Sequence, residues 1–420
     1  MANGRSMATM NVRCCIAGGG PAGMMLGFLL ARAGVEVAVL EKHADFLRDF
    51  RGDTVHPSTL EVIAELGLLD DFLARPHQEV SVLKGVIGRT TVTVADFRHL
   101  PTRCKFVALM PQWDFLNFLA ERGRRYPGFR VLMNAEVTDL IDENGTIAGV
   151  RAQTPDGPLE MRADLVVGAD GRHSTVRARA GFQVDDLGAP IDVLWMRLSK
   201  TPSERAAAVA GHFDAGRILV ALDRGDYWQC AYVIAKGGFE ALRARGLQAL
   251  RDDITAVAPE FGSRVGELRD WDDVKLLTVT VDRLREWCRP GLLCIGDAAH
   301  AMSPIGGVGI NIAIQDAVAA ANILADSLYA GAVPVRELAK VQRRRMFAVR
   351  ATQAGQVFIQ NRVIRAVLAS SAPTPVPWPV KLLQRFPLLG YIPARLVGVG
   401  IRPEHVRTPE RAMPQEVMSS

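Results

Sequence analysis

The chain has 420 residues, of which 49% are hydrophobic and 23% charged, the balance of a globular protein with a sizeable core. Its formal charge of +5 comes without a Lys/Arg block interleaved with aromatic residues, so we predict no nucleic-acid partner. No apolar run approaches the roughly 18 residues of a membrane span. The first 13 residues lack the apolar core of a signal peptide, and the six cysteines form no CxxC pair, so we expect a cytoplasmic protein with free thiols.

The N-terminal segment has the pattern of a nucleotide-binding βαβ unit. An apolar run at residues 12–17 ends in a G-x-G-x-x-G turn at Gly18, Gly20 and Gly23. Residues 24–33 favour a helix, residues 35–40 favour a second strand, and Glu41 closes that strand. Glycines allow a tight turn and close approach of the backbone to a pyrophosphate, and the acid can accept hydrogen bonds from ribose hydroxyls. The unit therefore predicts a dinucleotide site, without a 2′-phosphate.

The middle of the chain contains a region of mixed helices and strands, followed by a region dominated by strands. Helices are predicted at residues 59–73 and 113–123, a hairpin at 80–86 and 90–95, and strands at 129–137, 146–152, 159–163 and 165–167. The last of these strands ends in Gly168-Ala169-Asp170-Gly171. From 183 to 271 strands such as 218–222 and 227–234, then a helix at 239–257, indicate a separate sheet-based domain.

A second glycine-rich connection follows a buried strand at residues 292–295. It begins with Gly296-Asp297 and continues through Pro304 to Asn311, where a helix opens and runs to about residue 329. A carboxylate at this place can accept from sugar-alcohol hydroxyls. The following glycines expose N–H groups at a helix N-terminus, which suits a phosphate or a ring carbonyl. A plain turn that only needs glycine is the alternative.

The three motifs together resemble the single-component flavin monooxygenases of the para-hydroxybenzoate hydroxylase type. Those proteins carry a GxGxxG, a mid-chain DG motif and a late GD motif in the order found here, at residues 18–23, 166–177 and 296–311. The resemblance implies an α/β fold with a discontinuous Rossmann-like FAD domain, an inserted β-sheet substrate domain and a helical C-terminal region. We expect the FAD domain at residues 10–76, 102–182 and 272–330, the substrate domain at 77–101 and 183–271, and the C-terminal region at 331–420.

The resemblance also implies the activity and the residues that bind the cofactor. NADH or NADPH reduces non-covalent FAD, O2 forms a flavin C4a-hydroperoxide, and an aromatic or other electron-rich, fairly lipophilic small molecule is hydroxylated. Pro304 and Asn311 are expected beside the flavin ring. The expected cofactor-binding residues are Gly18, Gly20, Ala22, Gly23, Glu41, Lys42, Arg51, Gln112, Asp170, Gly296, Asp297, Pro304, Gly307, Gly309, Ile310 and Asn311. The nicotinamide is expected to bind transiently against the DG motif, since no second complete GxGxxG is present.

The substrate site is less defined by the sequence. Alternation along residues 227–232 places Trp228, Cys230 and Tyr232 on one face of a strand, and these three are the predicted substrate residues. Which face meets the ligand is open, and core packing is the alternative for each. His300 favours a packed or capping role over that of a base, and His56 is ambiguous. No metal site is predicted.

Several alternatives remain at this point. The apolar and basic residues of 376–401 favour a docked cap, with a membrane-touching amphipathic patch as the alternative. The chain is expected to be a monomer or a homodimer. An FAD-dependent reductase or dehydrogenase for a prenyl or polyketide-like substrate is the main rival function. A halogenase, whose Trp-x-Trp-x-Ile-Pro signature is absent, and a non-enzymatic flavin protein are ranked lower.

Overall fold

The computed structural model of the protein describes residues 8–47, 54–201, 209–331 and 333–411. The strands are β1 (Ala8–Ala17), β2 (Val37–Leu40), β3 (Thr54–Val55), β4 (Gln78–Val80), β5 (Val82–Ile87), β6 (Thr90–Asp96), β7 (Val107–Leu109), β8 (Phe129–Leu132), β9 (Glu136–Glu143), β10 (Thr146–Thr154), β11 (Gly157–Gly168), β12 (Val184–Asp186), β13 (Ile191–Ser199), β14 (Val209–Asp214), β15 (Arg217–Asp223), β16 (Tyr227–Ala235), β17 (Lys275–Leu277), β18 (Asp282–Leu284), β19 (Cys288–Arg289) and β20 (Leu292–Cys294). The helices are α1 (Pro21–Arg32), α2 (Pro57–Glu65), α3 (Leu69–Leu73), α4 (Gln112–Gly123), α5 (Thr175–Arg179), α6 (Phe239–Arg245), α7 (Leu247–Val257), α8 (Gly309–Ala330), α9 (Val335–Ile359), α10 (Arg365–Leu368), α11 (Trp378–Arg385) and α12 (Tyr391–Gly398).

A parallel sheet forms the centre of the nucleotide-binding part. Its order is β20-β11-β1-β2-β8, with β19 antiparallel at one edge and the β9–β10 meander continuing from β11. Its inner strands read as continuous apolar runs because helices cover the sheet, and β2 is buried throughout. Helix α1 packs against both α4 and α8. The predicted α/β class with a Rossmann-like sheet is confirmed.

A second sheet of seven strands has the order β17-β13-β16-β15-β14-β5-β6. The predicted hairpin near Gly88 is present as β5 and β6, and β5 pairs in parallel with β14. That pairing supports the proposed division of the chain, in which residues 77–101 and 183–271 form one domain. Strand β17 extends the sheet past residue 271.

Two predicted helices are interrupted. The helix predicted over residues 59–73 is divided into α2 and α3, with Gly67 at φ +71° between them. The sequence predicts a single helix over residues 239–257, but Gly246 has φ +86° and separates α6 from α7. Glycine adopts this left-handed conformation without the Cβ clash of other residues, so the chain turns at this point. Helix α7 then packs its apolar side on the second sheet, where Leu250 and Ile254 are fully buried.

The C-terminal region consists of α9, a short π-helix at Gln360–Ile364, and α10 to α12. Among the described residues one helical stretch, Ile305–Ala330, is long and apolar enough to cross a membrane, but 83% of its apolar window is buried in the protein. A central core helix has this property, and α8 packs against α1 and α9. Several apolar side chains of α11 and α12 are exposed, with Trp378 at 76%.

Candidate active site

The first glycine turn follows β1 and leads directly into α1. A Cβ at Gly18, where φ is +105°, would lie 2.4 Å from the Ala169 carbonyl oxygen, and one at Gly23 would lie 2.0 Å from the Gly18 carbonyl oxygen. A Cβ at Gly20 would meet nothing within 4 Å. Gly18 and Gly23 are therefore needed for close packing, whereas Gly20 lies at an open surface. No side chain caps α1, so its first N–H groups remain available for a phosphate.

Glu41 connects the end of β2 to the same turn. Its carboxylate accepts hydrogen bonds from the Gly19 N–H at 3.0 Å and from the His43 N–H at 3.1 Å. The residue is 9% exposed. This places the carboxylate beside the glycine turn, where a ribose is expected. Lys42 is exposed next to it, and Arg51 lies outside the described residues.

Asp170 follows β11, and its carboxylate is occupied within the protein. It accepts from the Ser174 hydroxyl at 2.5 Å and from the Val176 N–H at 3.1 Å. Burial raises its pKa against the opposing effect of these hydrogen bonds. Asp170 therefore anchors the start of α5.

Asp297 lies in the second glycine connection and is more open. Its side chain is 32% exposed, and its nearest cation is Arg172 of the DG motif, at 3.5 Å. A Cβ at Gly296 would lie 3.1 Å from the Cβ of Ala22, so this connection packs against the first turn of α1. The structure thus brings the three predicted motifs together, with β1, β11 and β20 side by side.

A buried polar network lies beneath Gly296-Asp297, and the sequence analysis missed it. Asp316 of α8 accepts from the Gly296 N–H at 3.1 Å, contacts His300 Nε2 at 2.6 Å and accepts from Arg345 Nε at 2.9 Å. Burial would raise the pKa of Asp316, but His300 and Arg345 outweigh it and hold the pKa below its ordinary value. His300 is packed and hydrogen-bonded, in keeping with the role its sequence favoured. Three polar residues in the otherwise apolar first thirteen residues of α8 were the available signal: Asn311, Gln315 and Asp316.

The loop from Ala301 to Val308 precedes α8. Gly306 and Gly307 have φ of +78° and +63°, and the Thr54 hydroxyl donates to the Gly307 carbonyl oxygen at 2.9 Å. A Cβ at Gly309 would meet nothing within 4 Å, and no side chain caps α8. The start of α8 therefore presents an open, N–H-rich surface, as a flavin ring carbonyl would require.

Three buried glutamines of the C-terminal helices hold this loop in place. We call Gln353, Gln356 and Gln360 the glutamine ladder. Gln356 Nε2 donates to the carbonyl oxygens of Ser303 and Ile305, both at 3.0 Å, and its Oε1 accepts from the Ser303 N–H at 3.2 Å. Gln360 donates to the Ser303 hydroxyl, and Gln353 donates to the Ala301 carbonyl oxygen at 3.1 Å. The sequence analysis did not identify these residues, because a glutamine in a helix gives no signal of its partner.

Asn311 fixes the start of α8 to α2. Its Oδ1 accepts from the His56 N–H at 3.1 Å and from the Thr59 hydroxyl at 2.7 Å. Burial lowers the pKa of His56 to about 4, although its ring is bonded to the Val397 carbonyl oxygen. His56 is therefore neutral near pH 7. Gln112 begins α4, as predicted, and its contact with the cofactor stays a prediction.

The predicted substrate residues lie on the helix-covered face of the second sheet. Trp228, Cys230 and Tyr232 are buried in a core with Leu250 and Ile254 of α7. Burial raises the pKa of Cys230 to about 12. Burial, followed by the Asp253 carboxylate, raises the pKa of Tyr232 far above its ordinary value.

The opposite face of that sheet approaches the loop before α8. Trp195, Val220 and Ile305 pack against one apolar cluster. Trp195 on β13 pairs with Ala231 on β16, so these two residues are on the same face of the sheet. Gln229 is two positions before Ala231 on β16, and side chains two positions apart on a strand point to the same face. Gln229 is therefore on the face of Trp195. Its Oε1 accepts from Arg224 Nε at 3.0 Å, which directs its Nε2 away from that arginine. Trp195 Nε1 and Gln229 Nε2 are both buried donors without a partner among the described residues.

The fold and the site define an FAD-binding oxidoreductase. The uncapped N-termini of α1 and α8 and the carboxylates of Glu41 and Asp297 all lie at the ends of parallel strands. In keeping with this, the FAD binding domain family matches residues 11–354, and the chain belongs to it. The 6-methylpretetramide 4-monooxygenase of Streptomyces rimosus is 36% identical over 367 residues, which cover 86% of each chain. The protein is therefore an FAD-dependent monooxygenase.

Solved structures share the fold. The anhydrotetracycline hydroxylase OxyS of Streptomyces rimosus superposes with a TM-score of 0.71 at 24% identity, covering 94% of this chain and 77% of its own. The p-nitrophenol 4-monooxygenase of Pseudomonas putida gives a TM-score of 0.72 at 20% identity, covering 93% and 96%.

Proposed function

We propose that this protein uses NADH or NADPH and O2 to hydroxylate a multi-ring, electron-rich phenolic substrate. The observation that carries the proposal is the sheet face of Trp195 and Gln229, which adjoins the loop before α8 and combines apolar surface with two unpartnered donors. The relative that is 36% identical is named for a 6-methylpretetramide substrate, and a solved structure of the same fold for anhydrotetracycline. These names agree with a large, oxygen-bearing aromatic ligand.

We propose the following roles for the residues at the cofactor. The turn at Gly18–Gly23 and the N-terminus of α1 bind the pyrophosphate, Glu41 accepts from the adenosine ribose, and Asp297 accepts from the ribitol. The start of α8 donates N–H groups toward the ring, with Pro304 and Asn311 alongside. Bound FAD supplies the redox chemistry, which accepts electrons from the nicotinamide and transfers one oxygen atom from O2 to the substrate. The protein orients both molecules and excludes water.

The test of this function is oxygen incorporation. We expect turnover with a panel of polycyclic phenols under 18O2 to give a product that gains one labelled oxygen atom, with NAD(P)H consumed in step with product. Mass spectrometry of the product and peroxide release measure the two quantities. A substrate that is turned over without label would instead favour the reductase or dehydrogenase alternative.

The substrate-facing side of the second sheet can be tested along β16. Gln229→Leu removes a directed donor, so we expect the KM for the phenolic substrate to rise about three- to tenfold, the effect of one neutral hydrogen bond. Cys230→Ala is the matched control, because the neighbouring residue points into the α7 core. It should lower thermal stability and leave KM within about twofold. If only the Cys230 variant changed KM, the substrate would instead bind on the face of Trp228, Cys230 and Tyr232.

Location and assembly stay proposals. We propose a cytoplasmic protein, monomeric or homodimeric, with small-molecule partners and no nucleic acid. The exposed apolar residues of α11 and α12 stand next to Lys381, Arg385 and Arg395, so contact of this region with a membrane remains the alternative. Sedimentation with anionic vesicles distinguishes membrane contact of this region from a cap docked on the protein.

A further inference from the structure

A small cavity, partly open to solvent, lies behind the start of α8, between that helix, α9 and the C-terminal segment. Its volume is about 20 Å³, which is room for about one water-sized particle. Val308, Ile312, Leu396 and Val397 form apolar parts of its wall. Its polar lining residues include Asn311 and Gln315 of α8 and Arg345 of α9.

Each of these three residues has a donor that meets no partner in the part of the chain that the structure describes. The atoms are Asn311 Nδ2, Gln315 Nε2 and one terminal nitrogen of Arg345, NH2. The residues are 4%, 4% and 0% exposed, respectively. A buried donor without a partner costs about 1–3 kcal/mol, so three around one cavity indicate a ligand that satisfies them.

The orientation of each group is fixed by its other contacts. Asn311 Oδ1 faces the His56 N–H, and Gln315 Oε1 accepts from the Glu404 N–H. Because a backbone N–H can only donate, both amide oxygens are committed, and both NH2 groups must be the free ends. Arg345 uses Nε on Asp316 and NH1 on the Arg402 carbonyl oxygen, and it has no acceptor atom. The three groups can therefore only donate.

We infer that this cavity is a binding site for a monatomic anion, a halide such as chloride. Such an ion accepts several hydrogen bonds and donates none, whereas a water molecule would bring two protons of its own. Ser58 and Thr352 also line the cavity, and their hydroxyls can turn to donate. The Asp316 and Glu404 carboxylates near Arg345 are themselves engaged by His300 and Arg344, so they leave part of the guanidinium charge for the ion.

The ion would connect three parts of the molecule. Asn311 and Gln315 are four residues apart on one side of α8, and Arg345 belongs to α9. Leu396 to Pro403 close the cavity from the C-terminal side. The anion would thus brace the first turns of α8, the helix that begins at the flavin, against the C-terminal region.

Bromide provides a direct test, since it replaces chloride and scatters anomalously. Crystals of the FAD-loaded protein in saturating bromide should show an anomalous peak among the three donors. Thermal melting of the same holoprotein should be higher in chloride than in gluconate of equal ionic strength, by about 2 °C at a tenfold excess over Kd. A cavity that holds water and no bromide would overturn the inference.

A variant makes the solution test specific. Gln315→Glu keeps an oxygen for the Glu404 N–H and puts a second carboxylate oxygen where the donor was, so the chloride-dependent shift should disappear. Gln153→Glu adds the same charge on an exposed hairpin and should keep the shift. A full chloride-dependent shift in Gln315→Glu would also overturn the inference.

Discussion

At the scale of single residues, the two predicted acids of the site differ in what they contact. Asp170 is bonded to Ser174 and to the N–H of Val176 at the start of α5. Asp297 is a third exposed, and within the described part of the chain its ion-pair partner is Arg172 at 3.5 Å. A carboxylate that is already satisfied serves the fold, whereas one that is open can serve a ligand. This difference supports the proposal that Asp297 binds the ribitol.

The two acids should therefore separate cofactor binding from stability. We expect Asp297→Ala to weaken FAD binding about ten- to a hundredfold, because loss of a charged acceptor costs roughly 1.5–3 kcal/mol. Asp170→Ala should instead lower the free energy of unfolding by about 0.5–2 kcal/mol through loss of its hydrogen bonds to the Ser174 hydroxyl and the Val176 N–H at the start of α5. Flavin content after acid release and thermal melting measure the two effects. Equal FAD affinity of the two variants would contradict the assignment.

At the scale of elements, α9 and the π-helix position the loop before α8. The glutamine ladder bonds to backbone groups at Ala301, Ser303 and Ile305, a segment with left-handed glycines just beyond it. A π-helix often marks a functional site, and Gln360 is its first residue. A loop with glycine freedom needs external hydrogen bonds to keep one conformation beside a cofactor.

Gln356→Leu should show what this positioning contributes. It leaves two carbonyl oxygens and one N–H without partners, so we expect unfolding free energy to fall by about 2–4 kcal/mol. Because we propose that this loop adjoins the flavin ring, peroxide release per NAD(P)H consumed should also rise. Gln342→Leu is the control: this glutamine of the same helix bonds to the Trp287 N–H and the Arg285 carbonyl oxygen. Gln342→Leu should lower the free energy of unfolding without changing peroxide release. A similar increase in peroxide release in both variants would contradict a positioning role for Gln356.

At the scale of the whole molecule, the loop before α8 is shared by the two sheets. Ile305 packs in the cluster of the second sheet, while Gly307 is bonded to Thr54 of the nucleotide-binding part. A ligand on the Trp195 face would contact the same loop that we propose to border the flavin. This shared contact is a physical route by which substrate binding can influence the cofactor.

We therefore expect NAD(P)H oxidation to be slow without substrate and at least about tenfold faster with the correct phenol, which corresponds to about 1.4 kcal/mol of barrier. The glycines of residues 304–311 supply the backbone freedom that such a change requires. Stopped-flow absorbance of flavin reduction, with and without ligand, measures it. Rapid reduction without ligand would indicate an oxidase-like protein that is not gated.

The sequence by itself determined the cofactor and the class of enzyme. Gly18, Gly20, Gly23, Glu41 and Gly296-Asp297 are local signals, because a turn or strand end needs these residue types wherever it occurs. The parallel sheet could also be predicted, since continuous apolar strands alternate with helices along the chain. In contrast, the break at Gly246 was not anticipated, because a lone glycine is tolerated in many helices.

Only the tertiary structure decided which polar groups meet and which strand face is free. Alternation along β16 placed Trp228 and Gln229 on opposite faces of the strand. It could not show that α7 covers the face of Trp228 or that Ile305 approaches the face of Gln229. The glutamine ladder, the Asp316–Arg345 pair and the donor-lined cavity depend on hydrogen bonds between residues that are 29 or more positions apart. Such contacts depend on how the helices pack against each other. The periodicity of the sequence does not show which residue will be the partner of a buried polar side chain.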